Sequence, residues 1–476
     1  MEKVFSSVIW KLLERCSVQI ASIIIQIVLA RILAPNDFGV LAILVIFVNL
    51  ADVFIRTGFV SSIIRKQDAT DEDYSTAFLV SEIIAFSLYV ILFLVSPLIE
   101  EAYDLSGLAQ YLRVISISLF FGAAYSIENT ILIKKMNFRA IFLCGIVATI
   151  VSGVAGITCA MLGMGVWSLV IQNVTQKVIL CFVTHTLTKW HSRLVLSRTS
   201  LREIFQFGSK VLISEIVYVL IEDTRTLVIG KRFSTNELAY YDRGQVYPSS
   251  MIRGVYDTIS SVFLPVFSTQ QEDKNLLSKS VTKVLRITMF FVFPICVGLA
   301  AVSKPFTFVL LTEKWSASIP YLQVFCIYQA AIPPYGVLRQ ALYAIGKSTG
   351  VLILEIIKGA AFVVAILIGI AFNPFVVALG TTVAMFFSLI CYMVYAFYVI
   401  RFDAIKILST FIKTSVSCLI MYAAVQAINM LPLPWIVLLV VDVLLGAMVY
   451  IVMCLVLKEH SIKEAFEYVK VFLRRK

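Results

Sequence analysis

Seven basic side chains, Arg56, Lys177, Arg225, Arg243, Arg253, Arg339 and Lys358, stand inside stretches otherwise apolar enough to cross a bilayer. On insertion scales a central Arg or Lys facing lipid costs about 2.5 to 3.5 kcal/mol, so all seven must face a protein interior or a wet cavity. Five of them are arginines. A guanidinium stays charged when desolvated, and its planar fork makes paired hydrogen bonds to phosphate oxygens. The chemistry on offer is the capture of an anionic cargo.

Helical spacing divides the seven. Residues three or four apart share a helix face and neutralise each other locally, which pairs Asp52 with Arg56, Glu222 with Arg225, Arg253 with Asp257, and Glu355 with Lys358. Each pair reads equally as an ion pair that makes burial tolerable or as part of a transport path. Lys177, Arg243 and Arg339 have no acid at that spacing and need a partner from another helix or a ligand. For Arg243 the competing reading is a pair with Asp242, for Arg339 it is snorkelling from near a helix end, and for Lys177, beside Gln172, Asn173 and Gln176, it is a polar interhelical contact. Ten acids also fall in or near the apolar stretches: Asp52, Glu82, Glu128, Glu215, Glu222, Asp223, Asp242, Asp257, Glu355 and Asp442. A uniformly cationic cavity therefore does not follow. Glu128, Glu222, Asp223 and Asp52 are candidates for a coupling ion or for plain counter-ion duty.

Other chemistries find no support. His185, His191 and His460 have no metal-ligand spacing, and no Walker loop or GxSxG occurs. Nine cysteines without CxxC spacing read as small buried hydrophobes, so neither a disulfide framework nor a zinc site is expected. Asp71-Glu72-Asp73 looks superficially like a metal-binding DxD but reads as charged, solvated surface. No cofactor is expected.

The elements that must position these residues are membrane helices. Of 476 residues 60% are hydrophobic and 14% charged, and mean hydropathy is +0.93; soluble domains are roughly 25% charged. Runs of about 20 apolar residues give fourteen candidate spans, from 8–33 to 433–457. Positive charge alternates across them. Twenty-seven lysines and arginines fall in connections on one side, including both termini, and six on the other, so both termini are expected inside. The net charge of +11 is explained by this bias and needs no nucleic-acid partner. With no cleavable leader visible, the first span is expected to be retained. A basic linker at 188–206 separates six spans (1–187) from six (207–400), followed by an additional helix pair (401–457) and a basic tail (458–476). Ala30-Arg31-Ile32-Leu33-Ala34-Pro35-Asn36-Asp37 is echoed 200 residues later by Gly230-Lys231-Arg232-Phe233-Ser234-Thr235-Asn236-Glu237. Two six-span lobes in one orientation imply a pseudo-two-fold along the membrane normal.

Leu29-Ala30-Arg31-Ile32-Leu33-Ala34-Pro35-Asn36-Asp37-Phe38-Gly39, Arg56-Thr57-Gly58-Phe59 and Ile64-Arg65-Lys66-Gln67-Asp68 resemble the opening of Wzx-type flippases of the multidrug/oligosaccharidyl-lipid/polysaccharide superfamily. Tyr240-Tyr241-Asp242-Arg243 through Phe263-Leu264-Pro265-Val266-Phe267-Ser268 is similar to that family's eighth helix. The resemblance implies a bacterial inner-membrane flippase that moves an undecaprenyl-diphosphate-linked oligosaccharide between leaflets, in contact with membrane lipids and other polysaccharide-assembly proteins. It further implies an alternately opening cavity whose basic residues meet the diphosphate, here Arg243, Arg339, Lys177, Arg56, Arg253 and Arg225. A multidrug exporter of the same superfamily and a membrane enzyme of lipid-linked glycans are the rival readings. The first predicts an acidic, aromatic site. The second needs a sizeable outer domain, whereas the longest outer connections here are about a dozen residues.

Overall fold

The computed structural model describes residues 2–66, 69–192, 195–198, 200–202, 212, 215–216, 219, 224–270 and 273–457, with side chains from residue 17 onward except 57–59, 61, 64–65, 255, 257–266, 268 and 274. Glu222, Asp223, most of the seventh expected span, the tail 458–476 and the side chain of Asp257 lie outside these. Among the described residues the regular structure is helical throughout. Ten helices are long and apolar enough to cross a membrane. The chain is an all-α, multi-pass integral membrane protein.

By internal contacts it divides into Met1–Ala239 and Tyr240–Lys476. The first unit contains α1 (Glu2–Ile32), α2 (Pro35–Arg65), α3 (Asp71–Tyr103), α4 (Leu108–Ile115), α5 (Ser118–Lys134), α6 (Phe138–Met161) and α7 (Val166–Thr188). Helix α8 (Thr235–Thr269) begins in it and continues into the second unit, which holds α9 (Lys274–Ala301), α10 (Ser303–Leu310), a 3₁₀ turn (Glu313–Ser318), α11 (Ile319–Ala344), α12 (Ser348–Ile370), α13 (Pro374–Ile400), α14 (Ala404–Ile428) and α15 (Trp435–Val456).

The order of elements repeats. In each unit a long helix (α3, α9) is followed by a short one (α4, α10), then by a long helix (α5, α11) and a hairpin (α6 with α7, α12 with α13). Packing repeats too: α5 lies against α3, α6 and α7, and α11 against α9, α12 and α13. Small residues let the hairpin helices approach. A Cβ on Gly156 would stand 2.9 Å from Cβ of Gln172, and one on Gly369 would stand 2.7 Å from Cα of Val377.

Short polar caps end the apolar runs and keep connections tight. Side chains of Asn137, Asp273, Asn373 and Asp403 accept from backbone N–H groups at the starts of α6, α9, α13 and α14. At Asp403, hydrogen bonds from the Lys406 side chain and backbone hold the carboxyl below the usual carboxylate range. Asp71-Glu72-Asp73 forms the first turn of α3: Asp71 and Glu72 are exposed, as expected, whereas Asp73 is buried, forms a capping box with Thr70 and accepts Lys66 Nζ at 3.0 Å. Beside it docks the described start of the basic linker, where Trp190 packs edge-on against Tyr74 and Phe78 and the Ser197 N–H donates to Thr76 Oγ1.

Helix α11 has the length of a span but is not among the ten. It carries Gln323, Gln329, Arg339 and three prolines. Most of its residues are buried in protein, which removes the need for a lipid-compatible composition. In the second unit this interior helix carries the charge.

Candidate functional site

In the first unit the fold gathers Asp52, Arg56 and Lys177. Asp52 and Arg56 stand one turn apart on α2, as the spacing requires, and Arg56 Nε donates to Asp52 Oδ2 at 2.9 Å. Lys177, on α7, brings Nζ within 3.6 Å of the same oxygen. Gly122 of α5 provides the room, since a Cβ there would lie 3.3 Å from Asp52 Oδ1 and 3.9 Å from Lys177 Nζ. The carboxylate is nearly covered, with 11% of its side chain exposed, whereas Lys177 keeps 29% and Arg56 52%. Two cations thus share one carboxylate and present themselves outward from it.

The second unit builds the same charge pattern with more scaffolding. Glu355 and Lys358, three apart on α12, are joined by Lys358 Nζ to Glu355 Oε2 at 3.0 Å, and Arg339 Nη1 on α11 lies 3.7 Å from Oε1. Tyr335 and Tyr392 both donate their hydroxyls to Glu355 Oε1, the latter at 2.9 Å. Arg339 Nη2 donates to the Tyr256 hydroxyl at 3.1 Å. The Tyr335 ring lies 5.5 Å from the guanidinium and 4.9 Å from the ammonium, within range of cation–π attraction. Close passage of α8 over α11 depends on Gly336, where any Cβ would enter the Tyr256 ring. Arg339 retains 31% exposure and Lys358 18%.

The other expected residues are placed differently. Arg243 is 4% exposed and lies with its guanidinium 6.0 Å from the Trp315 ring centroid. Tyr256 is thirteen residues further along the same helix, about 20 Å at 1.5 Å per residue, so Arg243 and Arg339 act at different depths. Arg225 is buried and Arg253 exposed, while Glu222 and the Asp257 side chain, the acids expected beside them, lie outside the described residues. Glu128, buried on α5, pairs with His185 of α7, whose Nδ1 is 2.6 Å from Oε1. The His191 ring stands edge-on to His185 at 5.8 Å between centroids.

Four partners escape sequence reasoning: His185, Tyr256, Tyr335 and Tyr392. Only a polar residue recurring on a helix face hints at the last three, and tyrosines are common on apolar helices. The echoed segments also meet within the first unit. Thr235 Oγ1 hydrogen-bonds Asn36 Oδ1, and Gly39 abuts the Thr235 backbone. Each segment starts a helix, with Asp37 accepting from the Ala34 N–H and Ser234 Oγ from the Glu237 N–H.

A family model described as a polysaccharide biosynthesis protein matches residues 28–320. The chain belongs to that family. Among curated relatives, the succinoglycan biosynthesis transport protein ExoT of Rhizobium meliloti is 21% identical over 72% of this chain and 69% of its own length. The lipopolysaccharide biosynthesis protein WzxC of Escherichia coli is 24% identical over 68% of this chain and 67% of its own. Among solved structures, the lipid II flippase MurJ in an inward closed conformation matches with a TM-score of 0.74, at 15% identity over 94% of this chain and 98% of that one. An inward-facing multidrug resistance MATE transporter of the MOP superfamily matches at 0.61, also at 15% identity, over 82% and 98%. The expectation of a Wzx-type member of that superfamily is met, and the structural likenesses establish the fold.

Proposed function

We propose that this polysaccharide biosynthesis protein is a flippase that carries a polyprenyl-diphosphate-linked oligosaccharide from the cytoplasmic to the periplasmic leaflet during assembly of a surface polysaccharide. It works by alternating access in the bacterial inner membrane with both termini cytoplasmic. One observation carries the reading: in each unit two cations, Arg56 with Lys177 and Arg339 with Lys358, share a single carboxylate and stay partly exposed. A cation left facing lipid is costly, and an intramembrane cation that stays accessible is one kept for a ligand. Each cluster has one positive charge in excess, the complement of one singly ionised phosphate. The names of relatives that serve succinoglycan and lipopolysaccharide biosynthesis support the cargo class.

In this reading Arg339, Lys358, Arg56 and Lys177 hold the phosphates while the glycan crosses a hydrated path and the prenyl chain stays in lipid. Arg253 and Arg225 contact the cargo at other stages of passage, while Arg243, buried beside Trp315, braces its helix. Glu128, paired with His185, Asp52, Glu222 and Asp223 are the groups through which an ion gradient would act. An exporter of organic cations would place its excess charge with the opposite sign, and the excess of cations over acid in both clusters weighs against it. Exchange between leaflets in proteoliposomes tests the assignment, with a fluorescent polyprenyl-diphosphate oligosaccharide in one arm and a cationic dye in the other. Movement of the lipid-linked sugar is the expected result, and movement of the dye alone refutes the proposal.

A further inference from the structure

Resting on that reading, we infer that Glu355, and Asp52 in parallel, are positioning residues that act as internal stand-ins for the cargo phosphate: each occupies the cations while the carrier is empty and yields them when a phosphate arrives. Any carrier that returns empty faces one requirement. Bare arginine and lysine side chains at membrane depth are costly to carry through a change of conformation. An anion built into the protein removes that cost. The same anion then competes with the cargo, so its grip must be breakable.

The geometry of Glu355 meets both demands. Lys358 Nζ holds Oε2 at 3.0 Å, but Arg339 stands off at 3.7 Å and is anchored instead on the Tyr256 hydroxyl at 3.1 Å. The fork is close enough to be neutralised and is not locked onto the carboxylate. When the cations turn to a phosphate, Glu355 is not abandoned, because the Tyr335 and Tyr392 hydroxyls continue to donate to Oε1. A buried carboxylate stripped of all partners would carry a large desolvation cost, and two O–H donors offset much of it. Asp52 occupies the same place between Arg56 at 2.9 Å and Lys177 at 3.6 Å. The balance of two cations to one acid therefore occurs twice, on non-identical residues, while the reserve hydroxyl donors belong to Glu355 alone.

The test separates affinity from turnover. Purified protein in lipid nanodiscs is titrated with geranylgeranyl diphosphate, and with geranylgeraniol as the uncharged control, while the rate of leaflet exchange is measured on the same preparations. Glu355→Gln keeps the shape and an acceptor for the tyrosines but removes the competing charge. It should bind the diphosphate about tenfold tighter than wild type and exchange it several-fold more slowly, because the empty return now exposes two unneutralised cations. Glu355→Asp should restore the wild-type values in part. A residue that merely braced α11 against α12 would give unchanged or weaker binding, and that outcome in Glu355→Gln overturns the inference. Should Glu355→Gln fail to fold, Asp52→Asn poses the same question in the other unit, and unchanged or weaker binding there overturns it equally. Wild type that binds geranylgeraniol as well as the diphosphate overturns instead the reading of the cargo.

Discussion

The two charge clusters are alike in composition and unlike in support. In the first unit Asp52 is held by Arg56 and Lys177, and a glycine, Gly122, leaves space beside it. In the second, three tyrosines brace the equivalent trio: two donate to Glu355 and one accepts from Arg339. Exposure differs at one cation of each trio, Arg56 at 52% against Lys358 at 18%, while Lys177 and Arg339 are alike at 29% and 31%. A preorganised anion site loses less conformational entropy on binding than one whose long side chains must first be ordered. On the proposed function, the second cluster would be the stronger grip and the first the looser one. A carrier that must both seize and release a charged lipid gains from having one of each.

That contrast ranks the substitutions. The largest effect is expected from Arg339→Ala, which removes a braced fork. Charge-assisted hydrogen bonds are worth about 1.5 to 3 kcal/mol, or roughly 10- to 100-fold in affinity. Export measured by leaflet exchange should fall by that order, with membrane protein level unchanged in immunoblots. Lys177→Met, in the looser cluster, should cost about threefold to tenfold, because a point charge on a flexible stem, with no hydroxyl or ring bracing it, contributes less than a braced fork. Equal losses at the two positions would break the ranking. Gly122→Ala comes next, since its Cβ would lie 3.3 Å from Asp52 Oδ1. Crowding of this kind costs about 1 kcal/mol when neighbours can adjust, so a decrease of about twofold to fivefold in exchange rate is expected. Gly336→Ala, set against the Tyr256 ring in the braced cluster, tests whether crowding there is tolerated less well.

Part of this arrangement was legible in the sequence, and the boundary has a physical cause. The Asp52 with Arg56 and Glu355 with Lys358 pairs follow from helical periodicity, which fixes neighbours three and four apart. Lys177 and Arg339 were recognisable as lacking a partner on their own helix. That they join those very acids is decided by how α7 packs near α2 and α11 against α12, and helix spacing carries no record of that. His185 and the tyrosines were missed for the same reason: their roles exist only between helices. Hydropathy marked the spans well, α11 among them, although its polar residues are tolerated only because protein takes the place of lipid around it. In the charged triplet Asp71-Glu72-Asp73 the first two are exposed as expected, and only Asp73 departs, because helix capping draws it into a buried box with Thr70.

The smallest effect on transport is expected at Arg243, and it sharpens the comparison from outside both clusters. Its guanidinium lies 6.0 Å from the Trp315 ring centroid, in a buried setting where Trp315 also meets the edge of Tyr240. A guanidinium at this distance from an indole contributes about 0.5 to 2 kcal/mol, and lysine keeps the charge but loses the guanidinium's extended set of N–H donors. Arg243→Lys should therefore lower the melting temperature in detergent by about 2 to 4 °C, while changing the exchange rate by about twofold or less. Arg339→Lys should do the reverse, sparing the melting temperature and impairing exchange, because its proposed task requires a fork that meets the cargo. If Arg243→Lys instead slowed exchange as much as Arg339→Lys did, the anion would be gripped at two depths on α8 and α11. The second unit would then have to be described as a track for the phosphates rather than a single braced cluster.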